Sequence, residues 1–394
     1  MIRINIKPNK STSLSIILLF SLLFIIQSAY TNKHNSSSAN KSITIKWYKS
    51  YPLQTFDNVK TGMLWSFSYL GANLPKGFWS DALEQIDSTT YILHINALGF
   101  NSQAESALAL ICDSIKNTNE YKQSNFIDIS RLLVLTLHTP YHYYKITGVY
   151  PTLKDFNKRY HVDKGLTFGV NQSCVAIGKR IIQFSTGENI RDVAFYAIEG
   201  FDTTTISLTT GNTYEAMDIL ENGQLRFAIY DNFGNLTTHS PKEYGEAGKP
   251  SKCLWCHESI IQPLYTTNTA INGMLSNEDF LAYQQRFQKK LDDYRRTLNS
   301  ELDYTKTRDH TYNELLYITF MEPNKDRLQQ ELKGKNEKVW ETISKFETHE
   351  FEEFPFIGKQ LYHRSYIDSL LNIHALRVPL SIREKVGDDP SFFK

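Results

Sequence analysis

The spacing of apolar residues changes period along the chain. Between Ser80 and Tyr160 it is mainly that of helices. In NSQAESALALICDSI, Leu108, Ile111 and Ile115 recur at spacings of three and four, which places them on one helix face. Ser102, with Glu105 three residues on, reads as the N-cap of a capping box. A second apolar segment, Ile127 to Leu137, runs into HTPYHYYKITG, where Pro140 ends any helix between His138 and His142. Lys154 to Tyr160 predicts one more short helix. From Gly165 to Thr238 the period shifts. VAFYAIEG, TTISLTT and LRFAIY are short runs of β-branched and aromatic residues. Asn222-Gly223 sits between EAMDIL and LRFAIY as a hairpin turn, and Leu225, Phe227 and Ile229 alternate onto one strand face. The last third returns to helical spacing. Ser276, with Asp279 three on, starts a long helix whose Phe280, Tyr283, Phe287, Leu291, Tyr294 and Leu298 form an apolar stripe. Further helices are expected through Lys325–Phe346 and Ser365–Arg377.

The fold class that follows is α+β: a mainly helical region over 43–164, an antiparallel β region over 165–240 and a helical C-terminal region within 241–394. Ahead of these stand a basic start (Arg3, Lys7, Lys10), an apolar run from Leu14 to Ile26 and small residues at Ser28-Ala29. That pattern reads as a secretory signal peptide over 1–29. The apolar run falls short of the ~20 residues of a membrane span. Any membrane contact would therefore be through this segment, if it stays uncleaved. Residues 30–42, polar and small, read as a flexible tether. Net charge is +1 with acids and bases interspersed, which gives no reason to expect a nucleic-acid partner.

The chemistry concentrates in KCLWCHES, Lys252 to Ser259. The chain has four cysteines, Cys112, Cys174, Cys253 and Cys256, too sparse for a disulfide scaffold. Cys253 and Cys256 stand three apart, and His257 follows at once. Four readings fit this spacing. A haem could be attached through both thiols and ligated by the imidazole. A zinc site would need two more ligands, and no second Cys-x-x-Cys exists. A thioredoxin-like pair would need a preceding parallel strand. A local disulfide would leave His257 incidental. No P-loop, Gly-x-Ser-x-Gly elbow, His-Glu-x-x-His helix or dinucleotide fingerprint occurs. Tyr230-Asp231-Asn232 with Asn235 reads as turn chemistry.

Cys253-Leu254-Trp255-Cys256-His257 resembles the attachment motif of the c-type cytochromes; the resemblance covers these five residues of 394. It implies haem c held by thioethers at Cys253 and Cys256, with His257 as proximal iron ligand. Such attachment takes place outside the cytoplasmic membrane, where a signal peptide would send the chain. In small members of that family a Met, usually followed by Pro, ligates the far side of the iron within a compact helical domain. Here Met274 in NGMLS and Met321 in FMEPN are the distal candidates, neither directly followed by Pro; His138, His142, His363 and His374 offer a bis-histidine alternative. Trp255 would either cover the porphyrin edge or pack against the helical domain. The sequence expectation is an exported monohaem protein of the periplasm or cell envelope. It would pass single electrons to or from a redox partner protein or a small-molecule donor or acceptor. The alternative is an exported non-haem binding protein in which Cys253 and Cys256 form a disulfide or part of a metal site.

Overall fold

The computed structural model describes residues 41–173, 180–199, 201–202, 207–208, 213–241, 249–267, 271, 273–334 and 337–371. The signal-peptide segment, most of the tether, Cys174, His374 and positions 372–377 of the last expected helix lie outside the described residues.

The architecture is mixed α+β, as the changes of period predict. The first part of the chain runs β1 (Ser42–Lys46), α1 (Phe56–Tyr69), β2 (Leu83–Gln85), β3 (Thr90–His94), α2 (Ser102–Lys116), β4 (Ile127–Asp128), α3 (Ile129–Thr136), α4 (Pro140–Thr147) and α5 (Leu153–Tyr160). Its strands form a small sheet in the order β2-β3-β1-β4, in which only β1 and β4 are parallel. This sheet escapes the periodicity argument because β2 spans three residues and β4 two, too few to alternate visibly. Two local readings change. Asn101 rather than Ser102 caps α2: the extended backbone falls at Asn101, whose side chain accepts from the Ala104 amide at 2.9 Å. Pro140 does end the preceding helix, but it also opens α4, because a first-turn residue has no helical N–H bond to lose.

The central sheet is a five-stranded antiparallel meander. It consists of β5 (Leu166–Val170), β6 (Arg180–Phe184), β7 (Phe195–Glu199), β8 (Tyr214–Ile219) and β9 (Leu225–Tyr230), in the spatial order β9-β8-β7-β6-β5. Directly paired residues share a face. Pairing of Arg180 with Glu199, Ile182 with Ala197, Ala197 with Glu215, and Met217 with both Phe195 and Phe227 puts all of these on one side. The other side carries Tyr196, Ala216, Ala228 and Tyr230 and packs on α4 and α5. There the Tyr143 hydroxyl accepts from the Phe227 amide and the Tyr144 hydroxyl from the Ile229 amide. Arg226 pairs with Asp218 and donates to the carbonyls of Thr147 and Gly148. Helices therefore cover both faces, and LRFAIY is buried on both rather than alternating in exposure.

The C-terminal part runs α6 (Pro250–His257), α7 (Asn277–Arg296), α8 (Thr311–Met321), α9 (Lys325–Glu331), α10 (Glu337–Ile343) and α11 (Arg364–Leu370). Ser276 caps α7 as expected, accepting from the Asp279 amide and donating to its carboxylate. The stretch read as one helix over Lys325–Phe346 is two, α9 and α10.

An ionic cluster ties the C-terminal helices to the first part of the chain. Arg131 of α3, Arg327 of α9 and Arg364 of α11 are each at most 2 % exposed, and their guanidinium groups stand 4.9, 5.7 and 4.3 Å from the Phe320 ring. Asp368 chelates Arg131 at 2.8 and 2.7 Å. Glu331 binds Arg364 at 2.7 and 2.9 Å and Arg327 at 2.6 Å, and Arg327 also pairs with Asp128. Glu331→Ala would leave the buried Arg364 guanidinium without its carboxylate and Arg327 with Asp128 alone. The expected cost is about 3–5 kcal/mol in urea unfolding, whereas a loss within a few tenths of a kcal/mol would show the cluster to be dispensable.

A cavity between the motif helix and the sheet

Local sequence explains how Cys253, Cys256 and His257 are presented. Pro250 occupies the first turn of α6, after Lys249 in extended conformation. The helix lasts eight residues, one turn before the motif and one through it. Leu254, 1 % exposed, anchors it in the core, and Trp255 donates to Asn313 Oδ1 at 3.3 Å. Cys253 and Cys256, three apart, project from one side of the helix. Cys112 is a buried free thiol away from the motif.

After His257 the chain takes two consecutive left-handed residues, Glu258 (φ 49°) and Ser259 (φ 64°). Such conformations cost a side-chain-bearing residue about 1–2 kcal/mol each and persist only where neighbours enforce them. Here Ser259 is 1 % exposed; its hydroxyl donates to Gln224 Oε1 at 2.7 Å, and its carbonyl accepts from Arg295 Nη2 at 2.7 Å. Arg295 Nε also donates to the Gly223 carbonyl at 2.9 Å. Gly223 thus has two reasons to be glycine: its φ is +82°, and a Cβ would stand 2.9 Å from Arg295 Cγ. The forced turn brings the Ile260 carbonyl to His257 Nδ1 at 3.3 Å. That contact favours the proton on Nδ1; Nε2 makes no hydrogen bond among the described residues. Burial lowers the His257 pKa to about 4, so the imidazole is neutral at ordinary pH.

Cys253, Cys256 and His257 line one cavity of about 900 Å³ of empty space, open solvent at its mouth included. The sheet face supplies Val170, Arg180, Ile182, Ala197, Glu215 and Met217, and Phe227 lies 5.1 Å from the His257 ring. The loop Ile261–Tyr265, with Phe280 and Gln284 of α7, closes the other side. The donor set fits a covalently attached haem: two adjacent thiols and a neutral imidazole with one nitrogen spare, on a single wall of a largely apolar space. The motif helix rests on an antiparallel sheet, not in the helical domain of small cytochromes. The described strands under it pair antiparallel, unlike the parallel strand that precedes a thioredoxin-like pair. Among the described residues no three His, Cys, Asp or Glu side chains are grouped to hold a metal ion.

The distal candidates lie elsewhere. Met274 Sδ is 3.6 Å from where a Gly169 Cβ would be. Gly169 alternates with Phe168 and Val170, and Val170 faces the cavity, so Met274 is on the opposite side of β5. Met321 is buried at the end of α8 and does not line the cavity. His138 packs behind the motif helix, 5.5 Å from the Trp255 ring and 4.1 Å from that of Tyr317. His142 is bonded to the Leu135 carbonyl, and His363 stacks on His349. The methionine that does line the cavity is Met217. Sequence reasoning missed it, with Arg180 and Glu215. Alternation of Glu215 and Met217 along β8 was the available signal, but it assigns a face only once strand register is known.

No protein family, curated protein or solved structure matches the chain. Among the described residues no helix is long and apolar enough to cross a membrane.

Arg295→Met keeps the aliphatic stem and removes the donors to Ser259 and Gly223. The expected loss is about 3 kcal/mol by chemical denaturation, and an unchanged midpoint would contradict the role given to this side chain. A pH dependence also follows. Burial lowers His138 to about 3 and His257 and His310 to about 4, below the ordinary 6.5, so their contribution is full above 6.5 and is lost as pH falls. Burial raises Glu199 and Glu314 from 4.5 to about 8, so theirs is full below 4.5 and lost as pH rises toward 8. Stability should therefore peak near 6.5, the ordinary histidine value. A continued rise between 6.5 and 8 would contradict these burial effects.

Proposed function

We propose that the chain is an exported monohaem c-type protein that exchanges single electrons with a redox partner, either a protein or a small molecule. The observation that carries this reading is the convergence of Cys253, Cys256 and His257 on one cavity, with His257 Nδ1 held by the Ile260 carbonyl. Cys253 and Cys256 would carry the thioethers, and His257 Nε2 would ligate iron. A haem held in this way supplies one-electron chemistry at its iron. The chain's own contribution is to hold the imidazole neutral and oriented, and to surround the group with Ile182, Ala197, Met217, Phe227 and Phe280, which keep water away and tune the potential. Under this reading Met217, the only methionine among the described residues that line the cavity, would be the thioether available to help hold the iron. Export rests on the N-terminal pattern of the sequence. It suits a thioether-forming site in the periplasm or cell envelope.

Produced with a cytochrome-maturation system, the full chain should give a denatured gel band that keeps peroxidase stain and a reduced spectrum with a sharp α-band. Replacing both Cys253 and Cys256 with Ala should abolish the stain, and His257→Ala should alter the spectrum. A full-length, colourless, unstained band would contradict the haem reading in favour of a non-haem binding protein.

A further inference from the structure

A second pocket opens on the other side of the sheet, near the tip of the β8–β9 hairpin. Asp218 and Arg226 pair directly across β8 and β9 and alternate with Met217 and Phe227, so this pocket and the motif cavity lie on opposite faces. It holds about 790 Å³ of empty space, open solvent at its mouth included. Three arginines line it: Arg159 from the end of α5, Arg191 from the turn before β7, and Arg226. The one carboxylate among the lining residues is Glu221; Asp192 and Asp218, which pair with Arg159 and Arg226, do not line it. A ligand that enters therefore meets guanidinium groups first, with two of their counter-ions outside the lining.

The three arginines differ in how fully they are used. Arg226 is spent on structure: Nε and Nη2 hold Asp218 at 2.8 and 2.7 Å, and Nη1 donates to the Thr147 and Gly148 carbonyls at 2.7 and 2.9 Å, closing the end of α4. Arg159 gives Nη2 to Asp192 at 2.5 Å and lies 4.9 Å over the Tyr160 ring; its side chain has no other hydrogen-bond partner among the described residues. Arg191 has only Glu221 Oε1, 3.4 Å from both Nη atoms. Charge-assisted bonds to a carboxylate close at about 2.7–2.9 Å, so this contact is loose and leaves both nitrogens for a better acceptor. Neutral groups complete the lining: the amides of Asn73, Asn101 and Gln103 and the phenols of Tyr150 and Tyr160. Asn101 spends Oδ1 on the cap of α2 and keeps Nδ2. The Asn73 side chain and the two phenol hydroxyls make no hydrogen bond among the described residues. Amides and phenols both donate and accept, which suits the hydroxyl groups of a polyol.

We propose that this pocket binds a sugar that carries one carboxylate or phosphate. Arg159 and Arg191 grip the oxyanion, Arg191 exchanging its loose contact with Glu221 for it, and the amides of Asn73, Asn101 and Gln103 hold hydroxyls. The planar fork of arginine matches the paired oxygens of either anion. An inorganic anion would use the arginines and leave the amides and phenols idle. A neutral sugar would do the reverse. The pocket is separate from the motif cavity, so this inference does not depend on haem.

The test is isothermal titration of the full chain, produced with a cytochrome-maturation system and read whether or not haem is attached. Glucuronate and glucose 6-phosphate are the probes; glucose and inorganic phosphate are the references. Saturable binding of at least one anionic sugar is expected, about tenfold or more tighter than either reference, and the probe that binds tells carboxylate from phosphate. Arg191→Gln, at a half-exposed side chain whose only polar partner is Glu221, should weaken that probe by about tenfold or more and leave the urea midpoint in place. Gln103→Glu, which puts a carboxylate into the lining, should weaken it likewise. No saturation with either anionic sugar by about 10 mM overturns the proposal. So does equal affinity for glucose or for inorganic phosphate, or an Arg191→Gln protein that binds as the wild type does. If the variants do not fold, the selectivity of the wild type decides. None of these outcomes bears on the stained band or the α-band, which judge the haem reading separately.

Discussion

Arg295 donates from Nη2 to the Ser259 carbonyl and from Nε to the Gly223 carbonyl, so one buried guanidinium joins the exit of the motif helix to the tip of the β8–β9 hairpin. Its charge is met by Asp292, 3.7 Å from Nη1, and by the face of the Tyr304 ring 4.0 Å away, and the Tyr304 hydroxyl donates to the Asn222 carbonyl at 2.6 Å. The cavity depends on this pin. Without it the left-handed turn at Glu258 and Ser259 keeps its hydrogen bond to Gln224 but loses its tie to the hairpin, and the Ile260 carbonyl loses part of the frame that turns it to His257. The chain of cause runs from a helix-borne arginine, through a hairpin glycine and a strained turn, to the orientation of one imidazole.

The sheet supplies the second constraint. Covered on both faces, it can devote one to packing and the other to a site. Tyrosine hydroxyls of α4 satisfy amides of β9 on the packing side. The cavity side can then carry an arginine and two glutamates that would be costly in an ordinary core. Small cytochromes reach the same presentation of two thiols and an imidazole with helices alone. Here an eight-residue helix lies on a meander, so the resemblance extends to the residues of the motif and not to the surrounding fold.

Legibility in the sequence followed how local the determinant was. The Asn222-Gly223 turn, the Ser276–Asp279 cap and the stripe along α7 depend on neighbours within a turn or two, and each was readable. The α2 cap was misplaced by one residue because Asn101 and Ser102 are both competent and only backbone conformation separates them. Pro140 was half-read: proline that forbids one helix interior suits the next helix's first turn. The cysteines and His257 were legible as a motif; the cavity they share was not. Its opposite wall comes from strands paired across long sequence separations, which is why Met217, Arg180 and Glu215 went unseen while Met274 and Met321 drew attention by proximity to prolines and helix ends.

Mass spectrometry of mature protein, produced where thioether bonds can form, is the most direct measurement. The account predicts that the peptide spanning Cys253 to His257 carries the added mass of one haem. A bare peptide there, under conditions in which a known c-type protein is loaded, would contradict it.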